Sequence, residues 1–267
     1  MTTVTLGPAG TYSHRAARAV ADDVTFVDGV QDVIAAVAAG DADRGVVPIE
    51  NSIEGSVTAS QDALLEYDVA IGRELVTPIE HALLAQDRGF DVIASHEQAL
   101  AQCHDFLEAE YPDVSVEPVA STARGVERAR ADESVAGIAH PDLADSELTV
   151  IADAIQDRPA NATRFFLVVP AAQRARAGGK TTLIVYPDTD YPGLLVRLLE
   201  PFADRDIDLT RVESRPSGDR LGDYVFHLDL AAGLYEDRTQ AALATVESVA
   251  DDGWVQVLGS YDVEHVL

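Results

Sequence analysis

The sequence predicts a two-part α/β protein, and three observations carry the prediction. Short β-branched runs alternate with helical patterns through the first 170 residues, a small, polar, aperiodic stretch follows at 171–180, and beyond it the order of elements changes. In the first part Val4–Leu6 reads as a strand, Ala16–Ala21 as a helix, Val24–Val27 as a strand, Val30–Ala39 as a helix closed by Gly40, and Gly45–Ile49 as a strand. An extended section is expected from Val69 to Leu84. The alternation then resumes with strand Val92–Ala94, helix Glu97–Glu110, strand Val114–Val119, helix Ala123–Ala131 and strand Val135–Ala139. Asn161–Val168 returns to an extended pattern and is expected to cross back to the first unit. Lobe 1 is therefore placed at about 1–80 with 161–170 and lobe 2 at about 81–160, with a ligand cleft between them. After the linker, Thr181–Tyr186 reads as a strand and Tyr191–Ala203 as a helix. Ile207–Ser214 and Tyr224–Leu230 read as a hairpin around Pro216-Ser217-Gly218-Asp219, Arg238–Val249 as a helix and Trp254–Val263 as a strand. That gives residues 181–267 the βαββαβ order of a ferredoxin-like domain.

Composition narrows the function. The 267 residues suffice for one large domain or two ordinary ones. The longest apolar stretches, such as Val33–Ala39, are too short to span a bilayer, and Met1–Gly10 lacks the basic start and apolar core of an export signal, so a cytoplasmic location is expected. Forty-six acidic residues against 19 basic ones give a net charge of −27, and Lys180 is the single lysine. A chain so acidic lacks the basic face that nucleic acid requires. Its self-repulsion would be screened at molar salt, where the Debye length is only ~3 Å, so the composition is read as adaptation to high salt. With Lys180 at the end of the linker, Schiff-base and Walker-type chemistries are not expected. The lone Cys103 can form neither an internal disulfide nor a thiolate cage, and none of the seven histidines shows helical zinc-site spacing. No metal and no cofactor are expected.

In the first part, strand after strand ends in hydroxyl or amide residues at an expected helix start. Leu6 leads into Gly-Pro-Ala-Gly-Thr11-Tyr-Ser13, Ile49 into Glu50-Asn51-Ser52, Ala94 into Ser95-His96, and Val119 into Ala-Ser121-Thr122. Any one of these is explained by N-capping alone. Together they point to a crevice where free N–H groups and helix termini face a small organic anion. The loop Gly7-Pro8-Ala9-Gly10 lacks the third glycine of a dinucleotide fingerprint. Arg164, within Thr163-Arg164-Phe165, supplies a guanidinium able to hold a carboxylate by paired hydrogen bonds.

Several motifs in order resemble the prephenate dehydratase family: Gly7-Pro8-Ala9-Gly10-Thr11-Tyr12-Ser13 with Ala16-Ala17, then Val47-Pro48-Ile49-Glu50-Asn51-Ser52-Ile53-Glu54-Gly55-Ser56-Val57, Pro78-Ile79-Glu80-His81, and Asn161-Ala162-Thr163-Arg164-Phe165. Pro192-Gly193-Leu194-Leu195 and Leu209-Thr210-Arg211-Val212-Glu213-Ser214-Arg215-Pro216 are similar to the regulatory ACT domain that follows the catalytic domain in that family. Two departures touch the effector site: the family usually carries Gly-Ala-Leu where this chain has Gly193-Leu194-Leu195, and Asn where it has Asp208.

The resemblance implies a two-lobed, periplasmic-binding-protein-like catalytic domain and decarboxylating dehydration of prephenate to phenylpyruvate, without metal or cofactor. It implies that Thr163 polarises the leaving hydroxyl, help of a kind typically worth ~10²–10⁴-fold. Arg164 is expected to bind a carboxylate, while Thr11, Ser13, Asn51, Ser52, Ser95, Gln102, Ser121, Thr122 and Phe165 are expected to line the substrate site. Glu50 is a second candidate acid, with a structural role as the alternative. Phenylalanine is the expected effector, bound by Gly193, Leu194, Leu195, Asp208, Leu209, Glu213, Ser214, Arg215 and Pro216 in a homodimer or homotetramer. The rival readings are an arogenate dehydratase and a non-enzymatic amino-acid sensor.

Overall fold

A computed structural model describes residues 1–53, 55–218 and 220–266; Glu54, Asp219 and Leu267, which the readings above include, lie outside the described residues. The chain begins β1 (Thr3–Leu6), α1 (Tyr12–Arg18), β2 (Val24–Val27), α2 (Val30–Ala39), β3 (Arg44–Asn51), β4 (Gly55–Ser56), α3 (Thr58–Glu66) and β5 (Val69–Pro78). It then passes through β6 (Ala82–Ala85), β7 (Val92–His96), α4 (Glu97–Gln102), α5 (His104–Glu110), β8 (Ser115–Val119), α6 (Thr122–Ala131), β9 (Val135–Ala139) and β10 (Thr149–Ala152). Strand β11 (Ala162–Pro170) precedes β12 (Lys180–Tyr186), α7 (Leu194–Ala203), β13 (Leu209–Pro216), β14 (Tyr224–Leu230), α8 (Asp237–Ala250), β15 (Trp254–Tyr261) and β16 (Val263–His265).

Among the described residues these strands form three sheets. The first runs β16-β5-β11-β3-β1-β2 with β4 beside β3, the second β10-β6-β9-β7-β8, and the third β13-β14-β12-β15. The chain crosses from the first sheet to the second after β5 and returns through β11, which lies antiparallel between β5 and β3. Two lobes result, in the periplasmic-binding-protein-like arrangement. The third sheet has the ferredoxin-like strand order, with α7 and α8 on one face and Leu183, Val185, Leu198, Phe202, Leu228 and Val246 buried between them.

Its other face packs on the first sheet. Ile184, Val225, Leu258 and Tyr261 share one buried cluster with Ile49, Ile71, Phe166 and Val168, and the Tyr261 and Phe166 rings meet edge to face at 5.8 Å. At Gly259 a side chain would collide with the Ile71 carbonyl, so glycine is what lets β15 approach β5.

The structure departs from the sequence reading in four places. The extended section expected at 69–84 is two strands, one in each lobe. The helix expected over 97–110 breaks at Cys103 (φ −117°, ψ 18°), because the Gln102 carbonyl accepts from Asp157 N–H at 2.8 Å instead of continuing the helix. Lys180 opens a strand and, half-buried, forms an ion pair with the buried Glu74. Residues 263–265, expected within the C-terminal unit, pair with β5 in parallel (Val263 with Glu74, His265 with Val76) and extend the first sheet. Among the described residues no helix is long and apolar enough to cross a membrane.

Candidate active site

A cavity of about 580 Å³ opens between the lobes. Lobe 1 lines it with Thr11, Tyr12 and Ser13 at the start of α1, Pro48 and Asn51 on β3, and Thr163 and Phe165 on β11; lobe 2 contributes His96, Gln98 and Gln102 from the α4 region and Ser121 and Thr122 at the start of α6. The structure thus gathers eight of the expected residues, Thr11, Ser13, Asn51, Gln102, Ser121, Thr122, Thr163 and Phe165, around one space. Thr11 and Ser121 also cap their helices: Thr11 Oγ1 accepts from His14 N–H, and Ser121 Oγ accepts from Arg124 N–H. Helix α6 lies close enough to β7 that a side chain at Gly125 would strike the Ala94 carbonyl, which fixes Ser121 and Thr122 at the cavity wall.

A hydrogen-bonded chain runs behind the wall. Asn51 Nδ2 donates to Thr163 Oγ1 at 2.9 Å and lies 3.3 Å from Asn161 Oδ1. Ser52 Oγ donates to the same Asn161 oxygen at 3.1 Å and accepts from Ala162 N–H at 3.0 Å. Asn161 Nδ2 donates to Gln102 Oε1 at 3.0 Å, and His81 Nε2 lies 3.0 Å from that oxygen. An oxygen cannot donate, so His81 presents its Nε2–H to Gln102. Burial holds this imidazole below its ordinary pKa, and the nearby His140 adds to the effect despite the bond to Gln102. The Tyr12 ring meets His81 edge-on at 6.0 Å, and its hydroxyl donates to the Glu80 carbonyl. This chain joins both lobes through neutral amides, so it positions Thr163 without placing a net charge beside it.

Four expected site residues, Arg164, Glu50, Ser95 and Ser52, do not line the cavity. Side chains alternate along β11, so with Thr163 and Phe165 toward the cavity Arg164 points to the opposite face of the sheet. There it bonds Glu50, Glu74 and Asp229, outside the cavity lining. Glu50 follows it because β3 carries a bulge: Arg164 opposes Glu50 but Phe165 opposes Pro48, leaving Ile49 as the extra residue. The bulge lets Pro48 and Asn51 both face the cavity while Ile49 and Glu50 turn away. Ser95 is fully buried, with its hydroxyl donated to the Ile138 carbonyl at 2.6 Å. Ser52 acts one step behind the cavity wall, through Asn161.

Tyr12, His81 and Asn161, which stand in the family-like motifs, join the site without being expected there: Tyr12 and His81 line the cavity and Asn161 bonds the residues behind it. Asn161 lies two residues before Thr163, the spacing of one strand face, and that spacing was the available signal. Cys103 is buried in the lobe 2 core, its thiol pushed up to about 12 by burial, which makes it a packing residue. Among the described residues, no group of three or more His, Cys, Asp or Glu side chains could hold a metal ion.

In the C-terminal part, Gly193 (φ 93°) precedes α7, Leu194 is buried and Leu195 is exposed. Asp208 lies just before β13, the edge strand that carries Leu209, Glu213, Ser214, Arg215 and Pro216. Two of these side chains reach lobe 1: Glu213 accepts from the Ser56 hydroxyl, and Arg215 bonds both oxygens of Asp62 at 3.0 and 3.2 Å.

A family model for prephenate dehydratase matches residues 3–173. A bifunctional chorismate mutase/prephenate dehydratase of Aquifex aeolicus is 39% identical over 263 residues, covering 96% of this chain and 72% of that protein. A prephenate dehydratase of Methanocaldococcus jannaschii is 34% identical over 268 residues, covering 96% of each. The crystal structure of a prephenate dehydratase from Arthrobacter aurescens in complex with L-Phe superposes with a TM-score of 0.87 at 34% identity, covering 98% of this chain and 90% of that one. On the cavity, the motifs around it and these matches, the chain belongs to the prephenate dehydratase family.

Proposed function

We propose that this chain converts prephenate to phenylpyruvate and that phenylalanine regulates it. In the reaction the electron pair of the ring carbon–carboxylate bond enters the ring, the ring C–O bond breaks, and carbon dioxide and water leave with the uptake of one proton. Aromatisation drives the step, so the protein's task is to orient the dianion and assist departure of the hydroxyl. The observation that carries this reading is the Asn51 to Thr163 hydrogen bond at 2.9 Å. A hydroxyl has one donor and two acceptor positions. With Asn51 Nδ2 occupying an acceptor position and no acceptor bonded among the described residues, the Thr163 hydrogen is free to point into the cavity, toward the leaving oxygen.

Among the described residues, no Arg or Lys side chain lines the cavity. The substrate carboxylates are therefore held by neutral donors: the hydroxyls of Ser13, Ser121 and Thr122, the Gln98 amide, the His96 imidazole and the N–H groups opening α6. Such donors orient a carboxylate without the deep stabilisation of an ion pair, which would oppose its loss as carbon dioxide.

The phenylalanine site is assigned to the start of α7 (Gly193, Leu194, Leu195) and to Asp208 with the β13 residues Leu209, Glu213, Ser214, Arg215 and Pro216, completed by a second copy of the chain. Support comes from β13 being an edge strand with an unpaired backbone and an exposed Val212, and from exposed Leu195 and Val196 on α7. A homodimer paired through β13 covers these groups. The test is phenylpyruvate formation from prephenate by the full chain at molar salt, with and without phenylalanine, together with its mass in solution. Turnover above the uncatalysed rate, altered by phenylalanine, in a species of at least dimer mass is expected; no turnover refutes the reading, and a monomer refutes the shared effector site.

A further inference from the structure

The ion cluster that takes Arg164 away from the cavity has a geometry of its own. Arg164 Nε and Nη2 bond the two oxygens of Glu74 on β5 at 3.0 and 2.8 Å, and Nη1 bonds Glu50 on β3 at 2.5 Å. One guanidinium thus ties β11 to both of its neighbours in the sheet. The remaining contact, Nη2 to Asp229 Oδ2 at 2.7 Å, comes from β14 of the C-terminal part. Asp229 is fully buried, and its other oxygen accepts from Thr182 Oγ1 at 2.7 Å. Lys180 Nζ, on a half-buried side chain, donates to both Glu74 oxygens. Burial alone would lower the Arg164 pKa; the bonds to Glu74 and the attraction of Asp229 more than reverse this and hold it above its ordinary value.

Buried charges of this kind seldom add much net stability over an apolar replacement, yet they fix geometry sharply, because each misplacement leaves a desolvated charge unpaired. The residue fixed here adjoins Thr163, and the sheet's alternation turns any twist or shift at Arg164 into a displacement of the Thr163 hydroxyl on the other face. We propose that Asp229 is a positioning residue for the reaction: from the C-terminal domain it holds Arg164, and through Arg164 it sets the strand that presents Thr163 to the substrate. The inference rests on the catalytic reading given above, and it makes the C-terminal domain part of the active-site scaffold.

The test uses the full chain carrying Asp229→Asn, Arg164→Lys and both together. Asn keeps the volume of Asp but removes the acceptor's charge, so the ion pair becomes a weaker bond from the guanidinium alone, and Lys cannot reach three carboxylates at once. Each single variant is expected to lower kcat about tenfold while KM stays within about threefold, and the double variant to be no worse than the weaker single one, since the two act through one contact. Amide exchange over residues 162–166, read on the same proteins, is expected to quicken in each. If Arg164→Lys does not fold, Asp229→Asn decides alone. Wild-type kcat and wild-type exchange in a folded Asp229→Asn protein overturn the proposal, as does a double variant whose losses multiply. An inactive wild-type chain with faster exchange in the variants would refute the catalytic reading, and with it the role in the reaction, while retaining the mechanical link.

Discussion

Replacing Thr163 by Val separates the chemistry of the hydroxyl from its contribution to stability. The two side chains have nearly the same shape, and the position is only 9% exposed, so no cavity forms. The variant loses the 2.9 Å bond from Asn51 Nδ2, but that nitrogen keeps Asn161 Oδ1 at 3.3 Å and is not orphaned. The stability cost is therefore about 1 kcal/mol, the net worth of one hydrogen bond. The rate should suffer far more. Loss of assistance to the leaving group is worth ~10²–10⁴-fold, or about 3–5 kcal/mol at 1.36 kcal/mol per decade. Thr163→Ser keeps the hydroxyl but frees its χ1, which the β-branch restricts, and is expected to stay within about tenfold of wild type. The assay is steady-state phenylpyruvate formation, with KM and the thermal midpoint read on the same preparations. A Val variant with kcat within threefold of wild type, or a Ser variant as slow as Val, would refute the role assigned to Thr163.

Three further outcomes are expected. His227 is buried between the sheets, and burial together with Arg211 pushes its pKa down to about 4. The fold favours its neutral form, so that stability is complete above the unfolded value of about 6.5 and is lost as pH falls toward 4, by on the order of 3 kcal/mol. His227→Gln should flatten this acid limb in thermal melts from pH 8 to 4; an unchanged limb would contradict the assignment. Gly125→Ala pushes α6 away from Ala94 and should cost about 1–3 kcal/mol while raising KM through Ser121 and Thr122, and a melting temperature equal to wild type would show that the close packing is dispensable. With a charge of −27 and no Arg or Lys lining the cavity among the described residues, lowering the salt from molar to ~0.01 M should both destabilise the fold and raise KM for a dianion; circular dichroism and kinetics unchanged across that range would contradict the high-salt reading.

The convergence of strand ends on one crevice was legible in the sequence, because hydroxyl and amide residues recur where apolar strand runs meet helical ones. Arg164 and Glu50 lie on the other face of the sheet from that crevice for a local reason. Adjacent residues of a strand face opposite ways, so Thr163 and Arg164 could not share a cavity, and the bulge at Ile49 that turns Glu50 away leaves no mark in composition. Ser95 fits the pattern of a cap but sits one residue too early: the helix cap is His96, whose Nδ1 accepts from Gln98 N–H, and the serine faces the strand beside it. The His81–Gln102–Asn161 chain joins residues 81, 102 and 161 across two lobes, a closeness that only the crossings between the sheets create. Small and polar residues before Lys180 give it the look of a linker residue; its buried partner Glu74, distant in sequence, draws it into the strand as one half of an ion pair.

Strand β16 gives the molecule a particular folding history. The first sheet collects strands from residues 3–78, then 162–170, then 263–265, and its edge beside β5 stays open until the last of these arrives. A ribosome releasing the chain from its N-terminus leaves that edge exposed through most of synthesis, with Val76 and Glu74 unpaired on it. Such long-range pairing closes loops of nearly two hundred residues and folds slowly. A net charge of −27 then has a consequence beyond hydration: like charge between nascent chains opposes the pairing of one unfinished edge with another.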